Sequence, residues 1–305
     1  VIYDMGGKFD GSFNQAAYEG IQRWMKETGK KSMEFEVSNE SQREQAIRRM
    51  AERGASPIIG IGFSQASSIE KVAKEFPKLK FAIVDMVVDL PNVQSVVFKE
   101  QEGSYLVGVM AAKASKTGKA GFVGGMDIPL IRRFQCGYEQ GAKWANPKAE
   151  VFANMTGTTP SAWNDPVKGS ELTLAQISQG ADVVYAAAGG TGVGVLQTAA
   201  DQGILSIGVD SNQNYLHPGQ VLTSMMKRVD NAVYDAFTAG ADLAPGFNVM
   251  GVSNGGVGYA LDENNASLVS AEMQAAVDQA AADISSGALS VHDYMSDESC
   301  DALSF

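Results

Sequence analysis

The chain has 305 residues, 45% of them apolar and 19% charged, and 35 acidic against 24 basic side chains leave it a net charge of −11. That length can bury a large core and divide into two domains, whereas the acidic excess excludes a nucleic-acid footprint, which needs a basic face. No apolar run reaches the roughly 18 residues of a spanning helix, so a soluble protein is expected.

The first strand, Val1 to Tyr3, runs into Asp4, a glycine turn and a helix start. Ser12 and Gln15 have the spacing of a capping box. This places Phe13 and Asn14 in the first helical turn, beside the strand's end. An acid, an aromatic face and an amide are thus gathered where a parallel sheet commonly receives its ligand, with the chemistry to grip a flat polar ring. Because Val1 already stands inside a strand, an upstream signal peptide or lipoprotein anchor is expected to have been removed.

The helix from Phe13 carries an apolar stripe of Ala17, Ile21, Trp24 and Met25 and closes at Gly29. A strand over Met33 to Val37 follows. Ser41 and Glu44 then form a second capping box, opening a helix that stops at Gly54. Strands are predicted for Pro57 to Phe63, Phe81 to Asp85 and Val93 to Phe98, and a helix from about Gly103 to Ala114 completes the first half. After Thr117-Gly118-Lys119 the rhythm restarts. It gives a strand Ala120 to Val123, a helix Pro129 to Trp144, a strand Glu150 to Met155 and a helix around Glu171 to Gln179. Then come a strand Asp182 to Ala187, a helix Val193 to Gln202 and a strand Leu205 to Val209. The tail adds a strand Val221 to Met226, a helix Asp230 to Ala239, a glycine-rich strand pair over Asn248 to Leu261 and a helix Glu272 to Ser285. Such extra elements imply that the chain recrosses between two lobes, which then behave as a hinge. The two halves repeat an architecture, with no residue-level repeat visible.

Asp4, Phe63, Asp85, the Gly124-Gly125-Met126-Asp127 segment, Tyr185 and Asp210 stand in or at the ends of predicted parallel strands. A single carboxylate there commonly caps a helix, but several on one sheet edge with Phe13, Phe63 and Tyr185 point to a cleft. Lys227 follows the strand Val221 to Met226, at a crossing. Gly62-Phe-Ser64-Gln-Ala66 is a near miss to a nucleophile elbow, yet His217 and His292 are poorly placed for a triad, so no enzyme is expected and Ser64 reads as a helix cap. Gly189 to Gly194 lacks the spacing of a dinucleotide loop. Two histidines and two distant cysteines make a transition-metal site improbable, and no cofactor is expected. Cys136 and Cys300 fit no disulfide framework, so one bridge or two free thiols both remain open.

Six segments together resemble the basic membrane protein family, the PnrA-like substrate-binding proteins of ABC transporters. They are Asp4-Met-Gly-Gly-Lys-Phe-Asp-Gly-Ser-Phe-Asn-Gln15, Phe81-Ala-Ile-Val-Asp85, Val123-Gly-Gly-Met-Asp-Ile-Pro129, Ala188-Gly-Gly-Thr-Gly-Val-Gly194, Ile207-Gly-Val-Asp-Ser-Asn-Gln213 and Thr223-Ser-Met-Met-Lys-Arg-Val-Asp230. The resemblance implies a two-lobed α/β fold of the type I periplasmic binding protein class, each lobe a parallel sheet flanked by helices. One lobe is expected over residues 1–116 and about 227–246, the other over 117–226 and about 247–305. The resemblance further implies a purine nucleoside held between the lobes. Phe13 and Tyr185 would sandwich the base, with Phe63 or Trp163 as alternatives for the second face. Asn14 and Asp85 would read the base edge. Asp4, Asp210 and Lys227 would bind the ribose hydroxyls, with the Gly190 backbone in reach. Asn212 stands where the family often has a second acid, and Gly11 where it often has a lysine. The implied setting is periplasmic or extracellular, as a monomer that docks on a membrane permease. A ligand-sensing domain of a regulator, a sensory receptor and a binder of free bases or sugars are the rival readings.

Overall fold

Strands of β-branched and small apolar residues alternate with helices that are apolar on one face, and this pattern can satisfy itself only as layers of helix on parallel sheet. The computed structural model describes residues 1–300 and arranges them in that way. In chain order the first elements are β1 (Ile2–Tyr3), α1 (Phe13–Thr28), β2 (Phe35–Glu36), α2 (Gln42–Glu52), β3 (Ile58–Gly60), α3 (Ala66–Glu75), β4 (Phe81–Val84) and β5 (Val93–Phe98). There follow α4 (Glu100–Ala114), β6 (Lys119–Met126), α5 (Pro129–Ala145), β7 (Glu150–Gly157), α6 (Pro166–Ser178), β8 (Val183–Ala187), α7 (Thr191–Asp201), β9 (Leu205–Asp210) and β10 (Val221–Lys227). The tail supplies α8 (Val229–Ala239), β11 (Gly246–Met250), β12 (Val257–Tyr259) and α9 (Ala271–Ser286).

Two compact units result. The first joins Val1–Phe98 to Arg228–Met250, and the second joins Lys99–Lys227 to the described residues from Gly251 to Cys300. The first unit's sheet runs β11-β5-β4-β3-β1-β2, all parallel. The second unit's sheet runs β12-β10-β9-β8-β6-β7, parallel except for the antiparallel edge strand β12. The two orders are the same when strands are counted from each unit's own start. Ile2, Ile47, Ile58, Phe81 and Ile83 are fully buried in the first core, and Val123, Val184, Ala186 and Val195 in the second.

Several sequence expectations are corrected. The strand pair expected over Asn248 to Leu261 does not exist as a pair: β11 lies parallel to β5 in the first unit and β12 antiparallel to β10 in the second. The helix read as completing the first half, α4, belongs to the second unit. Neither capping box forms. The amides of Ser12, Asn14 and Gln15 are taken instead by the carboxylate of Asp10, and Ser41 turns its hydroxyl to Asn39 while Glu44 pairs with Arg48 and Lys71. An aspartate offers two acceptors, so one side chain can serve several orphan amides at a helix start.

The place of α4 follows from glycine. On α5, a Cβ at Gly141 would lie 2.0 Å from the Tyr105 carbonyl oxygen and one at Gly137 would lie 2.4 Å from that of Gln101, while on α4 a Cβ at Gly108 would lie 2.2 Å from the Tyr138 carbonyl oxygen. The two backbones approach so closely that only hydrogen fits between them, and α4 is committed to α5. Gly141→Ala is therefore expected to destabilise the protein by about 1–3 kcal/mol or more, the usual range for overpacking with a backbone neighbour that cannot yield. Gly258→Ala, whose Cβ would meet nothing within 4 Å, should move the melting temperature far less. Equal melting temperatures for the two variants would refute the close-packing argument.

Candidate functional site

In the first unit the site is built around the end of β1. Asp4 follows the strand directly, and every atom of its carboxylate is engaged. Oδ1 accepts from the Met5 amide at 2.8 Å and from the Arg43 guanidinium at 2.7 Å. Oδ2 accepts from the Ser64 hydroxyl. Ser64 is thus a partner of Asp4 and not the helix cap expected from the sequence. Arg43 lies on the inward stripe of α2 with Ala46, Ile47 and Met50 and is buried with them. Gly62 lies against the carboxylate, where a Cβ would come within 2.6 Å of Oδ2. Buried charges persist where they are paired and hydrogen-bonded, and this carboxylate is both.

Asn14 is buried, and its amide brackets the backbone of Asp4: Oδ1 accepts the Asp4 amide at 3.0 Å, and Nδ2 donates to the Asp4 carbonyl at 3.4 Å and to Asp10 at 3.1 Å. The side chain therefore fixes the end of β1. Burial pushes the Asp10 carboxyl up from its ordinary range, against the opposing pull of the amides it accepts from. Phe13 stands half-buried at the first position of α1, and Phe63 half-buried in the short 3-10 turn Phe63–Gln65 after β3.

Asp85 directly follows β4 with φ 69°, and Asp210 ends β9 with φ 64°. These strands occupy the same place in their two sheets. The left-handed region is unusual for a residue other than glycine, and such backbone clusters where function over-determines it.

In the second unit the aromatic assignment changes. Tyr185 is 0% exposed. Its ring lies 5.4 Å from that of Phe122 and 5.2 Å from that of Tyr138, and its hydroxyl is 3.3 Å from Ser104 Oγ. Burial lifts its hydroxyl well above the usual tyrosine range. Tyr185 is a core residue, unable to offer a face to a ligand. It sits on β8, a central strand whose side chains are all buried, as expected for a parallel sheet covered on both faces.

Trp163, the alternative, is half-buried at the end of the 3-10 turn Pro160–Trp163. Its indole lies close against glycine, since a Cβ at Gly125 would meet the ring at 2.1 Å and one at Gly189 would meet it at 3.8 Å. The turn is pinned through the Ala162 carbonyl, which accepts from Thr156 Oγ1 at 3.0 Å and Thr191 Oγ1 at 2.8 Å. Gly190 precedes α7 at its N-terminus, half-buried. The glycine-rich segment after β8 thus serves close backbone approach.

Lys227 ends β10 and is 2% exposed. Its ammonium lies 2.9 Å from Glu100 Oε1 and 5.5 Å from the centre of the Phe134 ring. Glu100, which the sequence reading missed, is itself wholly buried and also accepts from Arg133 at 2.9 Å through Oε2. An acid in the first turn of a helix reads as a dipole partner, so only its position on a helix buried on all sides could have given it away. Arg43 carried a clearer signal, a cation on the apolar stripe of a predicted helix.

Strand-end carboxylates, one of them preset by the buried Arg43, and half-buried aromatic side chains on the turns and helix starts suit reversible binding of a small polar ligand. A model of the PnrA-like ABC transporter substrate-binding proteins matches residues 1–291. The chain belongs to this family. Members of the PnrA-like family bind substrates for transport, so the chain is a substrate-binding protein and not an enzyme. Among its relatives, the ABC transporter nucleoside-binding protein BmpA of Lactococcus lactis is 36% identical over 95% of this chain and 88% of that protein. An ABC transporter solute-binding protein of Aeropyrum pernix superposes with a TM-score of 0.88 at 28% identity, covering 99% of this chain and 95% of that one. A transcriptional activator of the comK gene from Bacillus halodurans superposes with a TM-score of 0.80 at 24% identity over 95% and 98% of the two chains. That likeness carries the fold alone. Among the described residues no helix is long and apolar enough to cross a membrane, and no group of three His, Cys, Asp or Glu side chains is arranged to hold a metal ion.

Proposed function

We propose that this protein is the extracytoplasmic receptor of an ABC importer and that its ligand is a purine nucleoside. The observation that carries the reading is the pair of aspartates, Asp85 and Asp210, held in left-handed backbone at corresponding strand ends of the two units. Such strain is retained where a side chain must be aimed. The nucleoside-binding relative supports the ligand class.

In this reading Phe13 and Trp163 stack on the purine, with Phe63 beside them. Asp85 accepts from the base edge. Asn14 sets the end of β1 so that Asp4 meets a ribose hydroxyl together with Asp210 and Lys227, and the Gly190 backbone closes around them. Carboxylates accept from two hydroxyls at once, and charge-assisted bonds are the strong ones. The liganded form is the one a membrane permease receives, because a ligand that binds one arrangement of the protein better than the others stabilises that arrangement.

The test is calorimetric titration of adenosine, guanosine and inosine into the wild type and Phe13→Ala. Stacking on a base contributes about 1–3 kcal/mol, so the variant should bind at least about tenfold more weakly. Unchanged affinity would remove Phe13 from the site. Binding of sugars with no response to any nucleoside would overturn the ligand class.

A further inference from the structure

Outside the strand-end residues, the second unit holds a continuous line of charges that reaches Lys227. Asp293 grips Arg133 through both oxygens, with Nε to Oδ1 at 2.8 Å and NH2 to Oδ2 at 2.8 Å. The same guanidinium donates through NH1 to Glu100 Oε2 at 2.9 Å. The other oxygen of Glu100 faces the Lys227 ammonium at 2.9 Å. Along this line the side chains pass inward, from 31% exposed at Asp293 through 14% at Arg133 to 1% at Glu100 and 2% at Lys227. Two anions alternate with two cations, so the line is neutral and each buried charge has a partner.

Asp293 belongs to a C-terminal strap, residues 291–300, bound along one face of α5. Arg133, Cys136 and Gln140 stand three and four residues apart on that helix and so share a face. Each holds the strap. Arg133 takes Asp293. Cys136 is disulfide-bonded to Cys300, with Cα atoms 5.7 Å apart. Gln140 makes a reciprocal pair with the backbone of His292, donating to its carbonyl at 2.9 Å and accepting its amide at 2.8 Å.

We propose that Asp293 is a positioning residue for the ligand site, acting through Arg133 and Glu100 to fix the Lys227 ammonium. The inference rests on the reading above, in which Lys227 donates to the ribose. A lysine has a flexible stem and a compact point charge with no fixed plane, so a buried counter-charge such as Glu100 helps to set its position. Glu100 could turn about its terminal torsion, but Arg133 holds one oxygen and thereby aims the other at Lys227. Arg133 in turn has a planar fork, and Asp293 occupies one of its edges. With the pull of Asp293 weakened, the guanidinium can shift toward Glu100 and compete for both of its oxygens, the geometry that arginine and carboxylate favour. Lys227 then shares its counter-charge with a competing cation and shifts from the place from which it meets a hydroxyl. Asp293 touches no ligand in this scheme.

The experiment compares each of adenosine, guanosine and inosine with its 2′,3′-dideoxy analogue in the full chain, for wild type, Asp293→Asn and Asp293→Glu. The expected result is that Asp293→Asn lowers the affinity for the hydroxylated nucleoside by about three- to tenfold, the scale of one weakened charge-assisted hydrogen bond. Affinity for the dideoxy analogue should stay within about twofold, because only the hydroxyl contact is misplaced. Asp293→Glu, which keeps the bidentate partner, should restore part of the preference. A variant that weakens both ligands equally would make Asp293 a structural residue only and overturn the proposal. So would an unchanged preference in Asp293→Asn, with the nucleoside reading left standing. If the wild type itself binds nucleoside and dideoxy analogue equally, the ribose reading fails and this inference fails with it.

Discussion

Lys227→Met should both unfold more easily and lose nucleoside affinity, and the two losses are separable. In the wild type the ammonium is 2% exposed and faces Glu100 at 2.9 Å. Removing one partner of a buried pair leaves the other charge without compensation, a loss of about 3–5 kcal/mol. Glu100 retains Arg133 at 2.9 Å, which places the expected loss toward the lower end, about 3 kcal/mol. Methionine fills the stem's volume and packs on Phe134, so no large cavity is added. The double variant Lys227→Met with Glu100→Gln should recover much of the stability, because the uncompensated acid is gone. It should recover none of the nucleoside affinity, because the donor is still missing. Denaturant unfolding with calorimetric titration measures both. A double variant that binds nucleoside as the wild type does would exclude Lys227 from the site.

The fold was legible in the sequence wherever a side-chain pattern reports a local environment. Strand β5 and helix α1 were read to the residue, since an apolar strand between turns and a helix closed by a left-handed glycine are local signals. What was not legible depends on partners far away in the chain. The segment from Gly246 to Tyr259 reads as two strands near each other in sequence, and nothing local tells that they join different sheets. Helix α4 is buried from Glu100 to Ala111 and so presents no stripe to show which neighbour it packs against. Two of the glycines that decide this, Gly137 and Gly141, lie on another helix.

The candidate site divides in the same way. Asp4 and Asp85 directly follow their strands and Asp210 ends its own, all within a residue of the sequence reading, because strand ends can be read locally. The resemblance implies Tyr185 as a stacking face, but a central strand of a covered parallel sheet buries every side chain, and the ring packs on Phe122 and Tyr138. Trp163 instead sits in a turn whose position depends on Gly125 and Gly189, contributed by two other strand ends. The partners Arg43, Ser64 and Glu100 are separated from the residues they hold by long stretches of chain. A single sequence names the groups that could meet a ligand more readily than the groups that aim them.

The strap offers the second large effect. Cys300→Ser removes a cross-link that spans 164 residues. For a loop of this length the chain-entropy model assigns the bridge about 5 kcal/mol, and losses on removal of native bridges run about 2–5 kcal/mol. The expected loss is therefore large, but it arises mainly in the unfolded chain, which gains freedom. In the native state the strap keeps the Asp293 grip on Arg133 and the His292 pair with Gln140. Lys227 should then stay in place, and the affinity for nucleosides should change by less than about twofold, since the native contacts are kept. The denaturant dependence of stability should steepen, because an unbridged unfolded chain exposes more surface. Asp293→Asn is expected to show the opposite pattern, a small loss of stability with a selective loss of nucleoside affinity. If Cys300→Ser weakens nucleosides as much as Asp293→Asn does, the bridge is what keeps the strap docked, and the polar contacts on α5 do not suffice alone.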